Sequence, residues 1–489
     1  MSARSIHAIL VAINLFWYQA CRQTLGVLTV AMGQELGLST KEKGWLIAAP
    51  SVGNIITQMF GSRVESALGA RATIACAVLG LAIGCLLVPI ACTASLKLGL
   101  LVLAAQGFVF GPMFPAHSVL LSRWLTPADR GPASAQGEIA MSIASMGAPL
   151  LIASLETYAG WRAGFYATGS VCLLYVGFGW LRLAASRPSD CAYITKEELA
   201  LLSASSGEKP PIKTAKGAAV APDATPTGAP ASKVLLHPAT LALFACHMAY
   251  NLTTLSINSW MPTYYAEVLS FPPEAAKLHL TLPHLTAMIL KFGVSRVASR
   301  VRLSLGCSML TTRRIMCAVG YLFTGTPMLF VPALSRSPPW MTTLCFCIAL
   351  AGTGACPIAR PIPLNLHLPP QHLHNSPPPH PLPSSSRSSL FSRLVRHAGF
   401  HAEGFRANYL DVTRAHVGLV SGVGNCLSSV AAMVAPFIVG ALVSHAGRWD
   451  PVWYCISACC ALSTLIFCTF SSTTPVEEQL DAAKEKKSQ

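Results

Sequence analysis

The feature that most constrains this chain is a series of apolar runs, most of them near the length of about 20 residues that a helix needs to cross a bilayer. Of the 489 residues, 52% are hydrophobic and only 11% are charged, whereas soluble domains carry about a quarter charged residues. A soluble helical protein would also give each helix a polar face, which most of these runs lack. The sequence therefore predicts an all-α membrane protein that crosses the bilayer several times.

We predict twelve transmembrane helices arranged as two six-helix halves. The first six are Ile6–Met32, Gly44–Gly61, Thr73–Cys92, Leu98–Leu121, Ser134–Ala159 and Gly164–Leu183. The second six are Ala239–Tyr265, Ala276–Ser295, Ile315–Leu334, Met341–Cys356, Ala415–Val443 and Val452–Phe470. The N-terminal half then covers residues 1–183, a flexible cytoplasmic linker rich in Pro, Ala and Thr covers 184–238, the C-terminal half covers 239–470, and a cytoplasmic tail covers 471–489.

An internal repeat and the loop charges support this arrangement. The string "GSRVES" follows the second predicted helix and "VSRVAS" follows the eighth, which is the equivalent place in the other half. Such a duplication is typical of transporters whose binding site lies between two related halves. Nineteen loop Lys and Arg residues fall on the side of both termini and seven on the other side, which predicts cytoplasmic termini. The same loops account for the net charge of +15, so we expect no nucleic-acid partner.

One segment does not fit a membrane span. The string "PIARPIPLNLHLPPQHLHNSPPPHPLP", which begins at Pro357, contains 10 prolines in 27 residues, and proline at this density excludes a helix. The apolar run before it is too short to cross the bilayer, and joining Cys356 directly to about Ala398 restores a helix-length segment. We interpret residues 357–396 as an insertion, which is either translated intron sequence or a Pro- and His-rich loop for a partner or a metal.

A fixed charge interrupts the first apolar run. Arg22 lies about halfway along "NLFWYQACRQTLGVLTVAM", and a guanidinium keeps its charge even in hydrocarbon. It must therefore face the bundle interior or water, and the partner that suits its planar donors is a carboxylate or a phosphate. Because no acid lies in the same predicted helix, we expect Arg22 to bind an anion. The alternative is a structural pair with an acid or with carbonyl groups elsewhere.

Polar residues of the seventh and eleventh predicted helices are further candidates for substrate binding. His247, Asn251 and Asn258 fall on one face of the seventh helix, where they can donate hydrogen bonds to an oxyanion and His247 can carry a proton. Hydrogen bonding between helices, without a ligand, would explain them equally. In the eleventh helix, Gly418 and Gly422 lie four residues apart, a spacing for which we predict close helix packing, and Asn425 beside them is a further candidate for the site.

Six strings, taken in chain order, resemble one transporter family. They are "GWLIAAPSVGNIITQMFGS", "FPAHSVLLSRWLTPADRG", "AGWRAGFYATGS", "SRPSDCAYITKEEL", "NSWMPTYYAEVLSF" and "LDVTRAHVGLVSGVGN". They are similar to segments of the anion:cation symporter branch of the major facilitator superfamily, that is, solute carrier family 17 and the plant phosphate and anion transporters. The matches run in order from about Arg22 to Thr474, without the linker and the insertion.

The resemblance implies a secondary active transporter of a small anion, either inorganic phosphate or an organic carboxylate, that rocks two halves around a central site. It also implies coupling to Na+ or H+, or drive by the membrane potential, without a cofactor, in a monomer embedded in the lipid bilayer. Arg22 matches the family's first-helix arginine, which is implicated in anion binding, and His247 and Asn251 match polar positions of its seventh helix. Since no nucleophile–base pair, phosphate loop or metal-ligand spacing is visible, we expect neither an enzyme nor a metal site.

Two other internal charges are Glu138 in the fifth predicted helix and Lys291 in the eighth, at matching depths. Because these helices face each other in this superfamily, we hypothesise a Glu138–Lys291 pair that closes the cytoplasmic side in the outward-facing state. Separate snorkelling of the two side chains to the membrane surface is the alternative.

The chain departs from the family in its fourth helix. Leu103 and Phe110 align with the usual arginine and glutamate, so the usual coupling acid is missing and we do not predict H+ coupling; Glu138 is the available substitute. With Arg22 as the single fixed charge of the site, we expect a weaker or less highly charged anion than two-arginine relatives accept. A non-transporting membrane sensor, or a degenerate transporter relative, is the alternative function.

Overall fold

The computed structural model describes residues 2–58, 60–206, 230–271, 275–289, 306–353, 405–406, 408–409 and 411–488. Their backbone consists of helices, turns and irregular connections, with no strand in these ranges, which confirms the all-α prediction. Lys291, the predicted insertion at 357–396 and linker residues 207–229 lie outside the described residues.

The helices before the linker begin with α1, which contains Arg22. They are α1 (Ala3–Leu36), α2 (Thr40–Gln58), α3 (Gly61–Leu68), α4 (Ala70–Ala94), α5 (Leu96–Phe110), α6 (Met113–Trp124) and α7 (Pro127–Leu174). A π-helical turn, Tyr175–Trp180, and three further helical residues, Leu181–Leu183, extend α7.

The later helices begin in the predicted linker. They are α8 (Lys196–Ser206), α9 (Ala231–Leu235), α10 (Pro238–Glu267), α11 (275–289), α12 (Met309–Phe330), α13 (Pro339–Thr353), α14 (Val417–Ala446), α15 (Asp450–Phe470) and α16 (Val476–Ser488).

Local sequence explains why the predicted fifth and sixth spans are joined in one helix and why the predicted fourth span is interrupted. Gly160 has φ 77° inside α7, a conformation that glycine adopts without strain, and it lies between the predicted fifth and sixth spans. Pro112 follows Gly111 between α5 and α6, so the predicted fourth span continues as two helices.

Five helices of the described part are long and apolar enough to cross a membrane, with α5 and α6 counted together. They are Ala70–Ala94, Leu96–Trp124, Gln136–Leu183, Leu419–Ala446 and Asp450–Phe470. The total of twelve spans, the division into two six-helix halves and the limits of the linker and tail stay predictions.

Buried hydrophobic side chains form two clusters. The first core cluster comes from residues 3–191 and includes Trp124 and Trp180. The second core cluster comes from residues 234–476, together with Ile47 of α2, and includes Trp260 and Trp453. Because lipid is as apolar as these side chains, close van der Waals packing between helices is what holds each cluster together.

The two core clusters meet where α1 contacts α10 and where α2 contacts α14. At Gly44 of α2, a Cβ would lie only 2.8 Å from the carbonyl oxygen of Pro436 in α14, so only glycine permits this approach. Next to it, Nζ of Lys43 forms a 2.7 Å ion pair with Glu267 at the end of α10. We call this end of the bundle, opposite to the end where α1 begins, the Lys43 face.

Candidate functional site

Helix α1 belongs to the first core cluster, contacts α10 of the second, and carries Arg22 near its middle. The Arg22 side chain is half-buried, and its Nη1 donates a 2.6 Å hydrogen bond to the hydroxyl of Tyr18, one helical turn earlier. Its Cζ lies 5.5 Å from the centre of the Tyr18 ring. The ion pairs of the described residues do not include Arg22, so its partner here is a neutral hydroxyl.

An aromatic stack fixes Tyr18 in place. The Tyr18 ring lies parallel to Phe110 of α5, with centroids 4.3 Å apart and an interplanar angle of 3°, and Phe114 packs edge-on against both rings. Phe110 and Leu103 are both buried. The Phe110 ring therefore positions Tyr18, and Tyr18 in turn holds Arg22.

Three amide side chains of α1 contact side chains of neighbouring helices. They are Asn14 to His117 of α6 (3.4 Å), Gln19 to Ser145 of α7 (2.8 Å) and Gln23 to His284 of α11 (3.4 Å). Each of these amides has a side-chain partner on another helix, which is the interhelical role that polar groups take in membranes. Arg22 differs because its hydrogen bond stays within its own helix.

The three candidates predicted on the seventh helix lie on α10, but they are spread along the helix and do not share one set of partners. His247 is buried, and its Nδ1 is 2.9 Å from the hydroxyl of Tyr409. Nδ2 of Asn251 donates to the backbone oxygen of Ser428 in α14, at 3.2 Å. Asn258 lies about 16 Å further along the helix axis than His247, at about 1.5 Å per residue, and its buried Oδ1 has no hydrogen-bond partner in the described part.

The eleventh-helix candidate, Asn425, is exposed on α14. Gly422 is also exposed, and a Cβ there would meet open space, so the predicted close packing at Gly422 is wrong. Gly424 makes the close contact instead, because a Cβ on it would collide with the hydroxyl of Tyr409. Asn425 follows Gly424 in the chain but has no described contact with the Tyr409–His247 pair.

The structure adds Arg406, which the sequence interpretation missed. The Cζ atom of Arg406 lies 4.8 Å from the centre of the Tyr250 ring on α10, and its Nε is buried without a hydrogen-bond partner among the described atoms. Its charge is close enough to act on both His247 and Tyr250. The only sequence signal is a lone arginine in "GFRANYLDV", just after the predicted insertion that interrupts the tenth span.

Glu138 lies half-buried on α7, next to Gly137, which abuts Leu15 of α1. The field of Glu138, like that of Arg406, reaches Tyr250. Since Lys291 is outside the described residues, the Glu138–Lys291 pair stays a prediction.

These features define a class: a helical protein that crosses the membrane several times and holds fixed positive charge near the contact of its two core clusters. A family model of the Major Facilitator Superfamily matches residues 11–374, so the chain belongs to that family. This membership confirms that the protein is a multi-pass membrane transporter rather than an enzyme.

Curated relatives agree with the branch that the sequence strings resemble. The chain is 24% identical to the "Ascorbate transporter, chloroplastic" of Arabidopsis thaliana, over 92% of this chain and 72% of the relative. It is also 24% identical to the "Sodium-dependent phosphate transport protein 1, chloroplastic" of the same plant, over 92% and 76% of the two chains. "Sialin" of Homo sapiens is 23% identical, over 90% and 77%. The resemblance to this branch is therefore confirmed. Two of these relatives are named for the transport of ascorbate and of phosphate, and the name sialin states no substrate.

Proposed function

We propose that this protein is a secondary active transporter of a small anion, with inorganic phosphate as the leading substrate. It works by alternating access, as a monomer in a lipid bilayer, with twelve helices in two halves and both termini cytoplasmic. The observation that carries the proposal is Arg22, a fixed charge midway along an apolar helix whose described partner is a tyrosine hydroxyl. The relatives named for ascorbate and for phosphate support an anionic substrate of small size.

Within the described part of the chain, the geometry around Arg22 leaves donors for a ligand. A guanidinium carries five N–H donors in one plane, and the hydroxyl of Tyr18 accepts from Nη1. Donors not engaged by Tyr18 match the paired oxygens of a carboxylate or a phosphate. Because the Arg22 side chain is half-buried, each charge-assisted bond to such an anion would be stronger than in water.

Contacts on the Lys43 face support one state of an alternating-access cycle. The Lys43–Glu267 ion pair joins α2 to α10, and Nζ of Lys277 on α11 donates to Oγ of Ser154 on α7, at 3.3 Å. Both contacts link the first core cluster to the second. In our proposal they close the face opposite the termini, and they break when the site opens to that side.

The coupling ion is Na+ or H+ in this proposal. Leu103 and Phe110 are buried and cannot bind either ion, so a proton would need another acid. Glu138 on α7 is the acid whose field reaches the Tyr250 region, and it would serve that role or form the proposed gate with Lys291. His247, Asn251, Asn258 and Asn425 complete the set of proposed binding residues.

A second function is favoured by one observation. The two positions at which an arginine and a glutamate align in the family are filled here by buried apolar side chains, Leu103 and Phe110. A membrane sensor that binds an anion without moving it, or a degenerate transporter, would keep Arg22 and lose those charges.

Uptake of labelled phosphate, ascorbate and glutamate into proteoliposomes separates the two functions. We expect uptake of at least one anion, and a drop of about tenfold or more in Arg22→Ala, since charge-assisted hydrogen bonds contribute about 1.5–3 kcal/mol. Arg448→Ala is the matched control, because that side chain is 70% exposed. Uptake by Arg22→Ala equal to wild type would contradict the role of Arg22, and folded protein that takes up none of the three anions would favour the sensor.

A further inference from the structure

We propose that Arg406 binds an anionic group of the substrate, at a second anion position formed with Tyr250, His247 and Tyr409. This inference rests on the proposed transport function and specifies its substrate class: an anion with two negative charges, either a divalent phosphate or a dicarboxylate. It replaces the expectation of a site with one fixed charge.

The first argument is the contrast between Arg406 and two other arginines of the same half, Arg313 and Arg414. Nε of Arg313 donates to Asp411 at 3.0 Å, and Nη1 of Arg414 lies 3.2 Å from Glu478. Arg406 has no carboxylate within 4.0 Å among the described residues. Its contact is the face of Tyr250, with Cζ 4.8 Å from the ring centre. A ring face attracts the cation but accepts none of its in-plane hydrogen bonds.

The second argument is the buried Nε of Arg406. This atom is shielded from solvent and lacks a hydrogen-bond partner within the described ranges. A buried donor without a partner is costly, and cost is greatest when the donor belongs to a charged group. Oxygen atoms of a bound carboxylate or phosphate would satisfy guanidinium donors at this place.

The third argument is the set of groups around Arg406. His247 and Tyr409 are hydrogen-bonded to each other at 2.9 Å, and the hydroxyl of Tyr250 donates to the carbonyl oxygen of Thr353 at 3.0 Å. These bonds hold the aromatic side chains in place around the guanidinium. Glu138 is within electrostatic range of Tyr250 but forms no ion pair with Arg406, so no carboxylate of the described residues occupies the guanidinium.

The substrate class follows from where the two cations lie. Arg22 belongs to a helix of the first core cluster, whereas Arg406 lies against Tyr250 of α10, in the second. A substrate bound between the two halves, as transporters of this architecture bind theirs, can contact a cation of each half. Two fixed positive charges favour a dianion over a monoanion of similar size, because each charge adds its own attraction.

Binding of three named probes to the full-length protein in nanodiscs tests this inference at pH 7.4. The probes are inorganic phosphate, succinate and lactate, and isothermal titration gives each Kd. We expect at least one dianion to bind more tightly than lactate, and Arg406→Gln to weaken that binding by about tenfold or more while changing lactate binding less. Arg406→Lys, which keeps the charge, should fall between Arg406→Gln and wild type. Arg414→Gln is the matched control, since that side chain is 77% exposed.

The outcomes separate the two proposals. If Arg22→Ala loses binding but Arg406→Gln binds both dianions as wild type does, the inference fails and the proposed function stands. A wild-type preference for lactate over both dianions also overturns the inference. If the wild type binds none of the three probes, both fail together. If Arg406→Gln does not elute as a folded protein, dianion binding by Arg406→Lys is compared with that by Arg414→Gln instead. Equal binding by these two variants would contradict a site that uses the guanidinium of Arg406.

Discussion

Arg22 and Arg406 each lie beside a tyrosine ring, yet the two tyrosines hold their arginines differently. At Tyr18 the hydroxyl accepts a 2.6 Å hydrogen bond from Arg22, and the ring is stacked on Phe110. At Tyr250 the ring face lies 4.8 Å from Cζ of Arg406, while the hydroxyl donates to the backbone of Thr353. One arginine is therefore fixed by a directional bond, and the other rests on a ring face that leaves its in-plane donors to a ligand.

The most direct test of this difference between the two arginines is to remove the hydroxyls of Tyr18 and Tyr250 separately. Tyr18→Phe deletes the bond to Arg22 but keeps the stacked ring, so we expect KM for the transported anion to rise by about tenfold, the value of one charge-assisted hydrogen bond. Tyr250→Phe keeps the ring face under Arg406, and we expect a change of about twofold or less. Proteoliposome uptake over a range of substrate concentrations measures both. Equal effects of the two substitutions would show that the arginines are held in the same way.

A smaller effect is expected where the two core clusters are joined on the Lys43 face. Glu267→Gln removes the ion pair to Lys43, whose side chain is only 9% exposed while that of Glu267 is 30% exposed. Loss of such a partly buried pair is worth about 1 kcal/mol, so we expect the open population of this face to rise about fivefold. Faster hydrogen–deuterium exchange of residues 37–40 and 268–271 reports that opening.

Asp450→Asn is the control for this substitution, because it removes an exposed pair with Arg448 near the same face. Exchange in Glu267→Gln that matches this control would contradict a closing role for the Lys43–Glu267 pair.

The smallest effect is expected at Arg162, whose guanidinium is already paired with a carboxylate. Arg162 forms a two-bond pair with Glu35, at 3.0 and 2.7 Å, and Nε1 of Trp161 also donates to Glu35, at 2.7 Å. The hydrogen bonds from Arg162, and then from Trp161, lower the pKa of Glu35 below its usual 4.5. Because the folded-state pKa is the lower one, the stabilisation is present above about pH 4.5 and is lost as the pH falls through the pKa of folded Glu35.

The measurement is the Tm of wild type and Glu35→Gln at pH 7 and at intervals below pH 4.5. We expect the Tm of wild type to be slightly higher than that of Glu35→Gln at pH 7, and the difference to vanish on acidification. Anion binding should be the same in both proteins, since Glu35 lies far along α1 from Arg22. A difference in Tm that persists in acid would contradict the lowered pKa of Glu35.

The helices could be predicted from the sequence because apolar run length is a local property. The predicted run Thr73–Cys92 lies inside α4, Ala70–Ala94, and Ala239–Tyr265 lies inside α10, Pro238–Glu267. The bounds differ by a few residues, since helices continue through polar residues until a glycine, a proline or a capping group ends them.

The site could be predicted only in part. A charge inside an apolar run is visible in the sequence, so Arg22 could be proposed as a binding residue from the sequence alone. The stack of Tyr18 on Phe110 joins residues that are far apart in the chain, and no periodic pattern connects them. Arg406 was missed because its importance depends on Tyr250, a residue of another helix. The packing predicted at Gly422 belongs to Gly424, because small-residue spacing alone does not say which side of a helix meets a neighbour.

Counterflow tests the central claim, that Arg22 is the anion contact of a transporter, without any assumption about the coupling ion. Proteoliposomes loaded with unlabelled phosphate are diluted into labelled phosphate, and exchange alone then accumulates label inside. We predict accumulation by wild type and by Arg448→Gln, and loss of about tenfold or more in Arg22→Gln. Accumulation by Arg22→Gln equal to that of wild type would contradict the claim.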